Sequence, residues 1–203
     1  MVKAIVFDIG GVLIDLDPEQ CIRAFREILG YERITEILDP CHQKGIYGDM
    51  EAGLLPAEEF RRLILAESRP GCREEDVDRA MAALLVGMRP DTVETVKRLS
   101  ARYPLYLLSN NNPISMARTY QILRENGLEA EATFKGQFIS WEMKMLKPSP
   151  AFYREVVRRL GLPEREILFI DDNRANVDGA LSVGMQARYY EPGSRLSSLL
   201  ADV

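Results

Sequence analysis

The sequence has few cysteines and no cysteine pair with metal-binding or redox spacing. It has three cysteines in 203 residues, Cys21, Cys41 and Cys72, and none form a C-x-x-C pair. An odd number of widely spaced cysteines argues against a disulfide framework and against a zinc site. We therefore expect a reduced, cytoplasmic compartment.

Long apolar runs and clusters of basic residues are also lacking. No apolar stretch reaches the roughly 18 residues of a membrane span, and we expect no secretory leader, because the N-terminus enters a strand-like run directly. The net charge is −5, and basic residues alternate with acidic ones. This balance argues against a nucleic-acid surface, which needs clustered Lys and Arg. A small molecule is the expected partner, and the oligomeric state stays open.

What the chain does have is an alternation of two patterns, short apolar runs and helical segments. The short runs are typical of buried strands in a parallel sheet. They are Val2–Phe7, Leu105–Leu108, Ile167–Ile170 and Met185–Tyr190. Segments with helical spacing lie between the later runs, at Pro90–Ala101, Ser149–Leu160 and Ala175–Val183. This alternation predicts an α/β fold with a doubly wound parallel sheet.

One region contains only helical patterns, from about Pro18 to Val86. We interpret it as a small helical domain inserted after the first strand. The predicted division is an α/β core of residues 1–15 and 88–203 and a helical cap of residues 16–87. A helical unit over the mouth of an α/β sheet would act as a lid.

Polar residues follow the apolar runs at the points where the strands end. Asp8 follows the first run, Ser109-Asn110 the second and Asp171-Asp172 the third, and Lys147 precedes the helix at Ser149. Ligands of open α/β sheets bind beyond the carboxyl ends of the strands. We therefore expect these groups to meet at one edge of the sheet.

The residue types at this edge indicate phosphoryl transfer. Three carboxylates in one place repel each other unless a cation lies between them, and oxygen ligands favour Mg²⁺. A carboxylate can attack phosphorus and form an aspartyl-phosphate. Lys147 can neutralise one phosphate oxygen, while Ser109 and the backbone N–H of Asn110 can hold another.

These residues resemble the four sequence motifs of the haloacid dehalogenase superfamily. The motifs are Phe7-Asp8-Ile9-Gly10-Gly11-Val12-Leu13, Ser109-Asn110, Lys147-Pro148 and Asp171-Asp172-Asn173, in that order. The resemblance covers the whole chain, including the helical insertion, where residues 47–53 and 57–60 resemble the cap of one branch. That branch is phosphatase-like, has Asp-x-Gly in its first motif and includes an alpha-D-glucose-1-phosphate phosphatase.

The resemblance implies a role for each motif residue. It makes Asp8 the nucleophile and a magnesium ligand, and it makes the Gly10 carbonyl a second ligand. Asp172 would bind magnesium directly, and Asp171 directly or through water. The transferring phosphoryl group would be held by Ser109, Asn110 and Lys147. Lys144 competes with Lys147 for this role, but we expect Lys144 to face solvent.

The first motif departs from most phosphatases of the superfamily at Gly10, where they carry a second Asp as general acid–base. Such a group contributes about 10²–10⁴-fold to the rate. One interpretation is a substrate with a good leaving group, such as an anomeric sugar phosphate. Another is a substitute acid, for which His42 and Asp15 are candidates, although Asp15 is expected to cap the first helix after β-strand one. A third is a weak or inactive protein that binds phosphorylated ligands in a regulatory role.

Two further classes share parts of this pattern. A response-regulator receiver also combines phosphorylated Asp, Ser and Lys, but its acidic pair lies at the first strand. A haloacid dehalogenase uses the same nucleophile on carbon without metal, and the Asp171-Asp172 pair beside Asp8 would then lack a cation. The pattern therefore favours a magnesium-dependent phosphatase over both.

Overall fold

The computed structural model describes residues 1–38 and 45–203, so that Cys41 and His42 lie outside the described residues. The strands are β1 (Ala4–Phe7), β2 (Asp15–Leu16), β3 (Leu85–Gly87), β4 (Leu105–Ser109), β5 (Gly136–Ile139), β6 (Ile167–Asp171) and β7 (Gln186–Tyr189). The first helices are α1 (Pro18–Ala24), a π-helix (Phe25–Leu29), α2 (Ile34–Ile37), α3 (Gly45–Glu51), α4 (Ala57–Ala66) and α5 (Glu74–Ala82). The later helices are α6 (Pro90–Ser100), α7 (Pro113–Glu125), α8 (Ala130–Thr133), α9 (Ser140–Met143), α10 (Pro150–Leu160), a 3₁₀ turn (Glu164–Glu166), α11 (Arg174–Ser182) and α12 (Leu196–Leu199).

Five parallel strands form the central sheet in the order β5-β4-β1-β6-β7. This order confirms the predicted α/β fold with a doubly wound parallel sheet. The chain runs outward from β1 through β4 to β5 and then crosses back to β6 and β7, so β1 lies at the point where the winding reverses. Ligands of open α/β sheets bind at such a switch point, beyond the carboxyl ends of the strands.

Alternate residues of the strands pack on opposite faces of the sheet. On one face, Val6, Leu108 and Phe169 pack with apolar residues of α10 and α11. On the other face, Ile5 and Phe7 belong to an apolar cluster that also includes residues of α6, α7 and α12 and continues into the helices between β2 and β3. The sheet is therefore covered by helices on both sides, as the continuous apolar runs predict.

The structure corrects three details of the sequence reading. It adds strand β5, which the short and interrupted apolar pattern of Gly136–Ile139 did not indicate. The run at Met185–Tyr190 forms β7 at the sheet edge, where its residues are half-buried rather than buried. The helical pattern predicted up to about Val86 ends earlier, because α5 ends at Ala82 and Leu85 begins β3.

The segments that flank the helical region pair with each other. Strands β2 and β3 form a two-stranded antiparallel sheet, with Asp15 opposite Gly87 and Leu16 opposite Leu85. Helix α1 begins after Asp17, whose side chain accepts a hydrogen bond from the N–H of Gln20 at 2.8 Å. The expectation that Asp15 caps this helix is therefore wrong, because Asp17 is the N-cap residue. The division into core and cap stays a prediction.

In the part of the chain that the structure describes, no helix combines the length and the apolar character needed to cross a membrane.

Candidate active site

Asp8 lies at the carboxyl end of β1, in the centre of the sheet edge. Its backbone N–H donates to the carbonyl of Ile170 on β6 at 2.9 Å, which continues the strand pairing by one residue. The N–H of Ile9 donates to Asp8 Oδ1 at 2.7 Å. Asp8 as a whole is 8% exposed. These contacts hold one carboxylate oxygen and leave Oδ2 for a partner across the site.

That partner is Lys147, which joins two of the predicted acidic residues. Its Nζ lies 2.8 Å from Asp8 Oδ2 and 2.6 Å from Asp171 Oδ2. Burial acts to lower the pKa of Lys147, but Asp171 and Asp8 outweigh it, so that the pKa is raised and the ammonium stays charged. The structure thus brings Asp8, Asp171 and Lys147 together, as the order of the motifs predicted.

Asn110 holds the backbone of Lys147. The Lys147 N–H donates to Asn110 Oδ1 at 2.8 Å, and Asn110 Nδ2 donates to the Lys147 carbonyl at 3.0 Å. This reciprocal pair connects the loop after β4 to the loop before α10. The Asn110 amide therefore positions Lys147.

Asp171 is the last residue of β6 and is fully buried. Its Oδ1 accepts the N–H of Asn173 at 2.8 Å, and Asn176 Nδ2 lies 3.0 and 3.1 Å from its two oxygens. The carbonyl of Asn176 in turn accepts the hydroxyl of Tyr153 at 2.8 Å. Asn176 was missed in the sequence; its signal is a polar side chain in the first turn of the helix that follows the acidic pair.

Three carboxylates at this edge are close enough to share a cation. Within residues 1–38 and 45–203, one oxygen each from Asp8, Asp171 and Asp172 lies within 4.8 Å of the other two. All the donors are oxygens, the set that Mg²⁺ prefers. Burial raises the pKa of Asp8 to about 7, with Lys147 opposing and Asp171 and Asp172 adding to the rise. A cation among the carboxylates would act against this crowding of negative charge.

Gly11 makes room for Asp172 beside this cluster. Gly11 has φ +75°, and a Cβ at this position would lie 2.0 Å from Asp172 Oδ2. The backbone of the loop after β1 therefore approaches the carboxylate as closely as glycine alone allows. Burial, followed by the charge of Asp171, raises the pKa of Asp172 to about 6. The oxygen donors and this close approach both fit a bound divalent cation.

The remaining predicted residues line the same cavity, which has a volume of about 730 Å³. Ser109, the last residue of β4, is 3% exposed, and its Oγ donates to the Asn110 carbonyl at 3.3 Å. Gly10 forms an isolated backbone bridge with Ile14 in the loop after β1. Ser109, Asn110 and Gly10 therefore line the same cavity as Asp8.

The opposite wall of the cavity belongs to the helical region, where Tyr47 and Glu51 of α3 line it. Glu51 is 3% exposed, and its Oε2 has no hydrogen-bond partner among the described residues. Burial raises the pKa of Glu51 to about 8, with Tyr47 and Lys147 acting to lower it and Asp8 to raise it. Glu51 lies within the cap pattern of residues 47–53, which by itself indicates no role for this side chain.

Of the two candidates for a substitute acid, only Asp15 lies among the described residues. His42 lies outside the described residues. Asp15 forms an ion pair with Arg89 at 3.3 Å and is not among the residues that line the cavity. Lys144 is exposed, as expected, and its Nζ donates to the carbonyl of Gly53.

Comparison with known proteins agrees with the fold and with the motifs. Residues 2–184 match the haloacid dehalogenase-like hydrolase family. A D-ribitol-5-phosphate phosphatase from Bacteroides thetaiotaomicron is 28% identical over 195 residues, which cover 96% of this chain and 94% of that protein. A flavin mononucleotide hydrolase from Arabidopsis thaliana is 30% identical over 165 residues, which cover 80% of this chain and 64% of the Arabidopsis protein.

A solved structure is similar over nearly its whole length. It is a mutant of the HAD family enzyme bt-2542 from Bacteroides thetaiotaomicron, in complex with magnesium and inorganic phosphate. The TM-score is 0.92 at 30% identity, with 98% of this chain and 99% of that chain covered. The chain therefore belongs to the haloacid dehalogenase-like hydrolase family, which confirms the resemblance read from its motifs. It is a hydrolase by family, and its motif residues lie at the sheet edge formed by β1, β4 and β6.

Proposed function

We propose that this chain is a magnesium-dependent phosphatase that hydrolyses a small phosphorylated metabolite through an aspartyl-phosphate on Asp8. The observation that carries the proposal is the buried ammonium of Lys147 between Asp8 and Asp171, at the floor of a cavity. A nucleophilic carboxylate beside a fixed cation is what attack on a phosphate dianion requires. The phosphatase relatives and the structure solved with magnesium and phosphate support this choice.

In this mechanism Asp8 attacks phosphorus, and the bond from phosphorus to the ester oxygen breaks. Lys147 Nζ neutralises charge on a transferring phosphoryl oxygen, and Ser109 and the backbone of Asn110 hold the others. Because the Asn110 side chain holds both backbone groups of Lys147, it keeps the ammonium aligned with Asp8. Water then hydrolyses the aspartyl-phosphate and regenerates the carboxylate.

The residues that would hold magnesium are Asp8, the carbonyl of Gly10 and Asp172. Asp171 would contact it through water, because both of its oxygens already accept hydrogen bonds from Asn176, Asn173 and Lys147. When bound there, magnesium supplies charge that offsets the repulsion between the carboxylates and the phosphate.

The proposed substrates are sugar and sugar-alcohol phosphates. An anomeric sugar phosphate is one candidate, since its leaving group needs less help from an acid. A primary phosphate is the other, because ribitol 5-phosphate, named for one relative, carries its phosphate on a primary alcohol. Cleavage of glucose 1-phosphate much faster than glucose 6-phosphate would favour the anomeric class, and equal rates would exclude that preference.

The test is hydrolysis of para-nitrophenyl phosphate, acetyl phosphate and a set of phosphorylated metabolites with and without Mg²⁺. We expect magnesium-dependent release of phosphate, and we expect Asp8→Asn to lower the rate by about 10³-fold or more, because the variant lacks the nucleophile. Asp15→Asn is the matched control and should keep most of the activity, since Asp15 pairs with Arg89 and is not among the cavity-lining residues. Absence of turnover of every activated phosphate at saturating Mg²⁺ would overturn the proposal.

A further inference from the structure

A carboxyl group of the helical region, that of Glu51, is buried against the cavity, and its hydrogen bond with Tyr47 leaves one of its oxygens unpaired among the described residues. Glu51 ends α3 and lines the cavity together with Asp8, Gly10 and Lys147. Its Oε2 has no hydrogen-bond partner in the part of the chain that the structure describes. Leaving a buried polar oxygen unpaired costs about 1–3 kcal/mol. A cost of this size points to a group that is kept for a ligand or a reaction.

The backbone of Glu51 is held close to the loop that carries the phosphate-binding residues. Ser140 Oγ donates to the Glu51 carbonyl at 2.6 Å and accepts the N–H of Asn111 at 3.0 Å. Asn111 directly follows Ser109 and Asn110. Through this one hydroxyl, the end of α3 is therefore fixed relative to the loop after β4.

The surroundings of the Glu51 carboxyl favour its protonated form at neutral pH. Burial is the main cause of its raised pKa, of about 8, and the negative charge of Asp8 adds to it. Tyr47, one turn earlier on α3, and the ammonium of Lys147 act in the opposite direction. A carboxyl group that holds its proton near neutral pH can donate it in a reaction.

We propose that Glu51 is the general acid–base of this enzyme and supplies the function that most related phosphatases place at the position of Gly10. The inference rests on the proposed phosphatase activity at Asp8. It deepens that proposal by identifying which group protonates the leaving oxygen. It also extends the substrates to phosphates of ordinary alcohols, whose basic leaving groups require an acid.

The proposed proton transfers balance over the two steps. In the first, Asp8 forms a bond to phosphorus, the bond to the ester oxygen breaks, and Glu51 gives its proton to that oxygen, which leaves as the alcohol. In the second, the Glu51 carboxylate takes a proton from water as the water oxygen attacks phosphorus. The bond between phosphorus and Asp8 breaks, inorganic phosphate leaves, and both carboxyl groups return to their starting forms.

The test compares leaving groups of different basicity in wild type and Glu51→Gln. The probes are para-nitrophenyl phosphate, phenyl phosphate and ribitol 5-phosphate, and the measured quantity is kcat/KM, which reports on steps up to departure of the leaving group. We expect Glu51→Gln to lower kcat/KM by about 10²-fold or more for ribitol 5-phosphate or phenyl phosphate. For para-nitrophenyl phosphate, whose leaving group needs no proton, we expect a change of only about threefold. Glu58→Gln, an exposed change of the same type on α4, is the matched control.

The pH profile gives a second measurement. For phenyl phosphate, kcat/KM of the wild type should fall as the pH rises through about 8, where Glu51 loses its proton. The Glu51→Gln variant should lack this alkaline limb. If Glu51 only stabilised the fold, Glu51→Gln would lower kcat/KM, but the decrease of kcat/KM at alkaline pH would remain.

The decisive variant places an acid at position 10, where most related phosphatases carry one. A Cβ at Gly10 would lie 3.0 Å from Cδ1 of Leu16, a side chain that is 42% exposed and free to shift. Gly10→Asp in the Glu51→Gln background should recover at least about tenfold of the lost kcat/KM for phenyl phosphate.

An equal loss on all three probes, with no recovery by Gly10→Asp, would overturn the role of Glu51. If wild type hydrolyses none of the probes, the phosphatase proposal itself fails, and this outcome is distinct. Circular dichroism of Glu51→Gln checks that the variant is folded before its kinetics are compared.

Discussion

The two walls of the cavity differ in how their charged groups are satisfied. At the sheet edge, Lys147 contacts two carboxylates, and Asp171 accepts hydrogen bonds on both oxygens. On the wall formed by α3, Glu51 is equally buried, but its Oε2 has no partner among the described residues. Lys147 and Asp171 at the first wall are therefore paired, whereas one carboxyl oxygen at the second wall is unpaired among the described residues.

This difference separates two kinds of functional group. At the sheet edge, the ammonium of Lys147 holds Asp8 and Asp171 in place, although burial and the neighbouring carboxylates still raise the pKa of Asp8. The carboxyl group on α3 has a raised pKa because burial is not fully compensated, and such perturbation is common where a proton is transferred. We therefore expect substitutions at the two walls to have opposite effects on stability.

The largest expected effect is loss of stability in Lys147→Met. Removing the ammonium leaves Asp8 and Asp171 buried without their shared cation, which typically costs about 3–5 kcal/mol. Urea unfolding at neutral pH measures the change. Lys144→Met is the matched control, since Lys144 is exposed, and we expect it to change the free energy of unfolding by less than about 0.5 kcal/mol. Equal effects of the two variants would contradict a special role of the lysine at the sheet edge.

At the other wall, Glu51→Gln should stabilise the fold at alkaline pH. The folded-state pKa of about 8 lies above the ordinary value of 4.5, so the folded protein holds a proton that the unfolded chain releases. Wild-type stability therefore falls as pH rises from about 4.5 to about 8, and the glutamine variant is free of this loss. We expect an advantage of up to about 4 kcal/mol at pH 8 and almost none at pH 4.

Urea unfolding at both pH values measures this advantage, with Glu58→Gln as the control. A Glu51→Gln variant that is less stable than wild type at pH 8 would show that the ionised carboxylate is paired in the folded protein. The comparison between the two walls would then fail.

A smaller effect is expected at Gly11, which lies between β1 and Asp172. Gly11→Ala places a methyl group against the Asp172 carboxylate, and the positive φ adds strain of about 1–3 kcal/mol. The carboxylate of Asp172 must then move, so we expect the Mg²⁺ concentration for half-maximal activity to rise. The expected rise is about tenfold, which corresponds to ~1.4 kcal/mol of binding free energy. Magnesium titration of the phosphatase activity measures this change.

Gly161→Ala separates strain from contact. Gly161 has φ +64°, with no atom within 4 Å of an added Cβ. The Gly161→Ala variant should therefore be less stable than wild type, but its magnesium requirement should be unchanged. If both glycine variants shift the magnesium requirement equally, Gly11 has no specific relation to the metal site.

Much of the fold could be predicted because its strands are short, continuous apolar runs. The bounds of β1, β4 and β6 lie close to the predicted ones, and each strand has the expected polar residue at its end or directly after it. Strand β5 was not predicted, because Gly136 and Gln137 interrupt its apolar pattern and only pairing with β4 makes it a strand. Edge strand β7 was predicted as buried because hydropathy does not show how many neighbours a strand has.

At the site, the sequence led to the acidic residues and the lysine through their positions after strands. It could not show that the Asn110 amide is bonded to the backbone of Lys147, a residue 37 positions away. Nor did it identify Asn176 as the partner of Asp171, because a polar residue in the first turn of a helix is common and does not show which side chain it contacts. The roles proposed for these residues await the experiments described above.

The sequence by itself determined the doubly wound fold, the family and the set of groups at the sheet edge. Each depends on local order along the chain, since strands deliver the residues that follow them to a common edge. Only the tertiary structure decided that Glu51 lies in the same cavity as Asp8, with its carbonyl bound to Ser140, 89 residues away. Burial in that cavity, rather than residue type, gives Glu51 its raised pKa. Burial is a property of packing between distant segments, and no local pattern records it.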